Sequence, residues 1–258
     1  MQDSSAGLFR LDDRVALVTG GTRGIGAAIA RELAAAGARI LVTGRDEDQA
    51  RACAAGLVAD GGDAVGFGYD ARESGAALRL AERIQSEVGR LDILVNNAAV
   101  LRPHVIAKLK EEEFDELFQV NVKSALFLTQ ALQSLLQVSG RGAVLNITAA
   151  GAQAPMAGIG AYCASKAALV NLTRTLAKEW TPLGIRVNAL TPGSTATDMI
   201  LPVDPERRER FVAEMAAQNL MNRIAEPVEI ARAARFLVSD AASYVTGHVM
   251  VVDGGFLA

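Results

Sequence analysis

Val15–Thr19 is a short apolar run that ends in Thr19-Gly20-Gly21-Thr22-Arg23-Gly24-Ile25-Gly26 and passes directly into a segment of helical period, Ile25–Ala36. Few folds accept such a turn. A strand that breaks on glycines and re-enters as a helix aims the first helical amides, and the positive end of the helix dipole, at one point. That point suits a phosphate or pyrophosphate, and the glycines let the backbone come close to it. Glycines also end strands for purely structural reasons, so the turn takes its meaning from the rest of the chain.

The rest repeats the pattern. Strands are predicted at Val15–Thr19, Arg39–Thr43, Ala64–Tyr69, Ile93–Asn96, Ala143–Thr148, Arg186–Leu190 and Val249–Val252. Helices are predicted at Ile25–Ala36, Glu47–Ala59, Ala76–Val88, Glu113–Leu136, Tyr162–Trp180, Pro205–Asn222 and Val228–Ser239. Strands that are apolar throughout are buried on both faces. The expected fold is therefore α/β, a single-domain, doubly wound (Rossmann-type) parallel sheet of seven strands with helices on both faces. With 258 residues, half of them hydrophobic, the chain can bury a large core, and no linker, repeat or low-complexity tract divides it. One domain over 1–258 is expected, with 1–12 as an N-terminal extension.

Net charge is −3, from 26 basic and 29 acidic residues without a basic run, which gives nucleic acid no footprint. Cys53 and Cys163 belong to no C-x-x-C pair or Cys/His cluster, so free thiols and no metal site are expected. Met1–Arg10 has no apolar leader core, and no stretch approaches eighteen uninterrupted apolar residues. Membrane insertion and secretion are not indicated, and the cytoplasm is the expected location.

Several strand ends carry candidate ligand groups. After the second strand the chain has Gly44-Arg45 in place of an acid; an acid there would accept from the 2′-hydroxyl of NAD, whereas an arginine fits a 2′-phosphate. Arg23 would supply a second guanidinium, which favours NADP(H) over NAD(H). Asp46 is either an adenosine reader or the cap of the next helix. Asp70 follows the third strand, where it would meet the adenine amino group, and Asn97-Ala98-Ala99 after the fourth strand permits close approach of a ligand. Tyr162 and Lys166, four residues apart, share one face of a helix, and a neighbouring lysine charge favours the tyrosinate.

Taken together, these motifs resemble the short-chain dehydrogenase/reductase family along nearly the whole chain. The T-G-x-x-x-G-x-G turn falls on Thr19, Gly20, Gly24 and Gly26, the N-N-A-G motif on Asn96 to Ala99, and Y-x-x-x-K on Tyr162 and Lys166. P-G-x-x-x-T falls on Pro192, Gly193 and Thr197, and V-D-G-G on Val252 to Gly255. The resemblance implies hydride transfer between NADP(H) and a carbonyl or secondary alcohol, with Tyr162 as general acid/base and Lys166 as its support and ribose anchor. It implies that Asn121 keeps a water linking the lysine to solvent, and that Thr195 backbone and the Thr197 hydroxyl hold the carboxamide. The implied cofactor site also includes Thr22, Ile25 and Ala71. Similarity to 3-oxoacyl-carrier-protein reductases and small-ketone or sugar reductases implies a small-molecule or acyl-linked carbonyl substrate and a homotetramer formed through the last strand. Residues 198–226 would be a substrate lid, although packing against a neighbouring subunit explains them as well, and Arg102 or His104 would border the substrate.

One position departs from the family. The serine expected thirteen residues before the tyrosine is Ala149. On a register shifted by one, Thr148 takes the serine's place; if not, the site lacks a hydroxyl to hold the substrate carbonyl. A dinucleotide-binding sensor or scaffold, or a non-redox dehydratase or epimerase, is the alternative function.

Overall fold

The alternation in the sequence becomes a single twisted sheet. In the computed structural model, which describes residues 7–258, β1 (Val15–Val18), β2 (Arg39–Gly44), β3 (Asp63–Gly68), β4 (Ile93–Asn96), β5 (Gly142–Ile147), β6 (Ile185–Pro192) and β7 (Val249–Val252) lie in the order β3-β2-β1-β4-β5-β6-β7. Every neighbouring pair is parallel.

The crossover helices are α1 (Gly24–Ala35), α2 (Glu47–Ala59), α3 (Ala76–Glu87), α4 (Glu111–Phe118), α5 (Ser124–Ala131), α6 (Gln133–Val138), α7 (Gly160–Trp180), α8 (Pro205–Ala216) and α9 (Pro227–Val238). Alternate residues of each strand enter opposite layers. Val15 and Leu17 pack with Ile84 of α3, Leu128 of α5 and Trp180 of α7, whereas Ala16 and Val18 pack with Leu33 of α1 and Ile230 and Leu237 of α9. Both faces of β1 are thus dry, which is why it carries no polar alternation. Burying side chains such as Leu17 and Leu33 contributes roughly 1.5–3 kcal/mol each.

Two helices differ from expectation. The single helix expected over Glu113–Leu136 begins at Glu111 and is interrupted by a π-helical turn, Gln119–Lys123, and again at Leu132. The wide turn rotates Asn121 inward, where it is 1% exposed. The helix expected over Pro205–Asn222 ends at Ala216, because Asn219 Nδ2 donates to Met215 O and Arg223 O and Asn222 adopts a left-handed φ of 50°. Of the segment 1–12, residues 1–6 lie outside the described residues. The remainder is built into the fold, with Leu11 fully buried and its amide on Ala36 O.

β1 lies between β2 and β4, so strand addition reverses there and a crevice opens at the carboxyl ends of β1 and β4. The glycine turn, Asp70 and the Asn96–Ala99 motif all lie along this edge.

Candidate active site

Thr19 ties the two sides of the crevice together. Its hydroxyl donates to Val95 O at 3.2 Å and accepts from the amides of Asn97 at 2.9 Å and Ala98 at 3.1 Å. Asn97 Nδ2 donates back to Thr19 O and Gly20 O at 3.0 and 3.1 Å, so Asn97-Ala98-Ala99 is held against the glycine turn. Only glycine fits at position 26, where a Cβ would lie 2.3 Å from Gly20 O and 2.4 Å from Asn97 Nδ2. Gly24, at φ 56°, comes next to Thr197, whose Cγ2 would be 3.3 Å from an added Cβ. Helix α1 then starts from Arg23 with no side-chain cap and no acid in its first turn. The amides of Gly24, Ile25 and Gly26 are therefore left to an anion, which is the fit a cofactor pyrophosphate requires.

Toward β2, Thr22 packs on Gly44, and both Arg23 and Arg45 are exposed, with no carboxylate partner among the described residues. Asp46 caps α2, its Oδ1 accepting from the amides of Asp48 and Gln49, so the cap reading holds over the adenosine reading. Asp70 stands at the carboxyl end of β3 as expected, but its carboxylate already has a partner. It accepts from the Arg72 guanidinium and from the Arg72 amide at 3.0 Å, and the guanidinium holds it below the usual carboxylate range. Ala71, 7% exposed, accepts at its carbonyl from Gln119 Nε2 at 3.1 Å.

Helix α7 carries Tyr162 and Lys166 on one face. Lys166 is 2% exposed, donates to Ile147 O at the end of β5 at 2.8 Å, and lies 5.8 Å from the Tyr162 ring centroid. The expectation that the lysine lowers the phenol pKa is not met in this arrangement. Burial pushes the Tyr162 phenol up from its ordinary value and lowers Lys166 to about 8. Asn121 does not touch Lys166. Its amide exchanges bonds with the Val100 backbone and donates to Ser165 Oγ at 3.0 Å, clasping the loop after β4 to α7 between the tyrosine and the lysine. Ser165 escapes sequence reading because it is one of many hydroxyls in helices.

The turn after β6 is shaped by two contacts. A Cβ on Gly193 would lie 2.7 Å from Asp253 Cα, so the Val252–Gly255 turn packs directly under Pro192-Gly193. Thr195 pairs with Ala225 through a bridge made by Ala196 N on Ala225 O and Ala225 N on Ser194 O. A parallel bridge uses the groups flanking the residue, so Thr195's own N–H and C=O face the other way, as carboxamide binding requires.

Thr148 is not offered to Tyr162. Its amide continues the β5–β6 ladder on Leu190 O, and its hydroxyl is engaged with Leu190 O at 3.1 Å and Thr191 Oγ1 at 2.7 Å, the residue being 3% exposed. Ala149 follows in extended conformation before a short 3-10 turn, Ala150–Ala152. Arg102 and His104 are likewise taken, by Glu116 at 2.7 Å and Glu113 at 2.9 Å on α4, so this loop offers no unmatched cation to an anionic substrate. In the segment 198–226, α8 buries none of its residues. Among the described residues no His/Cys/Asp/Glu cluster could hold a metal, and no helix is long and apolar enough to cross a membrane.

A doubly wound sheet with this glycine turn, a tyrosine–lysine pair and a wide-turn asparagine defines an oxidoreductase of the dinucleotide-binding kind, and the chain belongs to the short-chain dehydrogenase/reductase family. A family model described as "Enoyl-(Acyl carrier protein) reductase" matches residues 20–257. The chain is 37% identical to a D-threitol dehydrogenase of Mycolicibacterium smegmatis, over 96% of this chain and 94% of that one. It is 34% identical to the 3-oxoacyl-[acyl-carrier-protein] reductase of Escherichia coli, over 96% and 98%. Among solved structures, a gluconate 5-dehydrogenase from Burkholderia cenocepacia in complex with NADP and tartrate superposes with a TM-score of 0.92 at 31% identity, covering 98% of each chain. A 3-oxoacyl (acyl-carrier-protein) reductase from Agrobacterium tumefaciens with NADP bound gives 0.93 at 32% identity, covering 99% and 100%.

Proposed function

We propose that this enzyme reduces a carbonyl, or oxidises the corresponding secondary alcohol, with NADP(H), and that Tyr162 is its general acid/base. The observation that carries the reading is the pair on α7, with the buried Lys166 fixed at the end of β5 and the part-exposed Tyr162 beside it. A nicotinamide held in the crevice would supply or accept the hydride. Tyr162, raised by burial, stays protonated at neutral pH and is ready to donate to a substrate oxygen, while Lys166, fixed at the end of β5, would anchor the nicotinamide ribose. Arg23 and Arg45, exposed and without a salt-bridge partner among the described residues, support NADP(H), as do the relatives solved with NADP. Gly20, Thr22, Arg23, Gly24, Ile25, Gly26, Arg45 and Asn97–Ala99 would hold the adenosine and phosphate half. Pro192, Gly193, Thr195, Thr197 and Lys166 would hold the nicotinamide half.

The same reading takes a small or acyl-linked substrate, a lid over 198–226, a homotetramer and a cytoplasmic enzyme. The unburied α8 supports the lid. The exposed Val251 on edge strand β7 supports subunit contact there. A second reading, a dinucleotide-binding sensor, draws on one observation: Ala149 leaves no hydroxyl on the substrate carbonyl, a loss on the order of a hundredfold to a thousandfold in other oxyanion sites. Incubation with NADPH and a panel of ketones, acyl thioesters and keto-sugars separates the two. Cofactor oxidation with any of them supports the reductase, and tight NADPH binding with no turnover supports the sensor.

A further inference from the structure

The π-helical turn Gln119–Lys123 grips more of the site than Asn121 alone explains. Asn121 reaches the loop after β4 and α7, while Gln119, two residues earlier, reaches back to the carbonyl of Ala71 after β3. The turn at Asp70–Glu73 is otherwise held from within, by Arg72 on Asp70 and by the Glu73 amide on Asp70 O at 3.1 Å. Gln119 is the strut that fixes this turn to the catalytic side of the molecule. We infer that Gln119 is a positioning residue that sets the adenine-side turn, Asp70-Ala71, relative to the segment that holds Asn121. This rests on the dinucleotide reading of the crevice.

The surroundings show why the role is positional. Gln119 stands in the wall of a groove of about 690 Å³ together with Arg72, Glu116, Phe118 and Lys123. Because Gln119 itself lines the groove, water is expected to take the place of its amide when that is removed, and little folding stability should be lost. What is lost is the fixed position of the turn, and with it the alignment of the groups that would meet the adenine.

The test uses the full-length protein and two fragments of the cofactor, adenosine 2′,5′-bisphosphate for the adenine half and reduced nicotinamide mononucleotide for the other. A side-chain hydrogen bond of ordinary strength corresponds to roughly threefold to tenfold in affinity. Gln119→Leu is expected to weaken the bisphosphate by that factor, to leave the mononucleotide unchanged, and to keep the midpoint of thermal unfolding within a few degrees of the parent. In Gln119→Glu the carboxyl donates to Ala71 O only when protonated. Its bisphosphate affinity, taken as a ratio to the parent's at each pH, should therefore recover as pH falls toward the carboxyl range near 4.3. Equal bisphosphate affinity in the parent and Gln119→Leu, or equal loss for both fragments, would overturn the assignment. If the parent itself binds neither NADPH nor the bisphosphate, the dinucleotide reading fails, and the role of Gln119 fails with it.

Discussion

Asn121 and Val100 exchange two hydrogen bonds, the Val100 amide donating to Asn121 Oδ1 at 2.8 Å and Asn121 Nδ2 donating to Val100 O at 3.0 Å. An amide side chain that mimics a strand neighbour in this way fixes the loop after β4 without another strand. Because the same Nδ2 also reaches Ser165, one buried residue sets the distance between that loop and α7. Asn121→Leu leaves both Val100 groups unpaired at a cost of about 1–3 kcal/mol each, so denaturant unfolding should shift to clearly lower concentration. Activity should fall by more than the folded fraction does, since Tyr162 and Lys166 flank Ser165.

Gly26→Ala inserts a methyl where Gly20 O and Asn97 Nδ2 already stand. Gly20 O is backbone, and Asn97 Nδ2, although a side-chain end, is held by Thr19 O and Gly20 O, so the turn must open. NADPH affinity, measured by nucleotide fluorescence, should drop at least tenfold. Gly56→Ala, on α2 with nothing within 4 Å, should leave it unchanged.

Lys166 gives the enzyme a particular pH dependence. Its folded pKa, about 8, lies below the unfolded value near 10.4, so between these two pH values the unfolded chain binds more protons than the folded one. Stability against urea should therefore rise as pH rises from about 8 to about 10, by an amount on the order of 2 kcal/mol. Below pH 8 the full cost of burying the charged ammonium is present. Lys166→Met should remove this slope, and an unchanged slope would place the lysine in water.

Much of this was legible in the chain. The seven strands, their all-apolar character and the crevice at β1 and β4 follow from short runs separated by helical periods, with glycines where Gly26 and Gly193 leave no room for a side chain. Tyr162, Lys166 and the glycine turn stand out by spacing. Contacts that join residues distant in sequence were not legible: the Thr148–Thr191 hydroxyl pair and Gln119 on Ala71. The π turn was hidden too, because one inserted residue in Phe118–Lys123 leaves the apolar pattern of a continuous helix intact, and only the inward Asn121 betrays it.

The hydroxyl of Thr148 is spent on β6, so Thr148→Val should cost about 1 kcal/mol in stability through the unpaired Thr191 and leave kcat within about threefold per folded molecule. Ala149→Ser should raise kcat for a ketone substrate by tenfold or more, as restored hydrogen-bond donors in oxyanion sites do. A large kcat loss in the threonine variant would mean that Thr148 turns toward the substrate during turnover.

Tyr162→Phe bears on the central claim most directly. With NADPH and a ketone that the parent reduces, the loss of nicotinamide absorbance should slow by at least a hundredfold, as removal of a general acid does, while NADPH affinity stays within about twofold. Turnover in Tyr162→Phe close to that of the parent would contradict the account, because the proton would then come from another group.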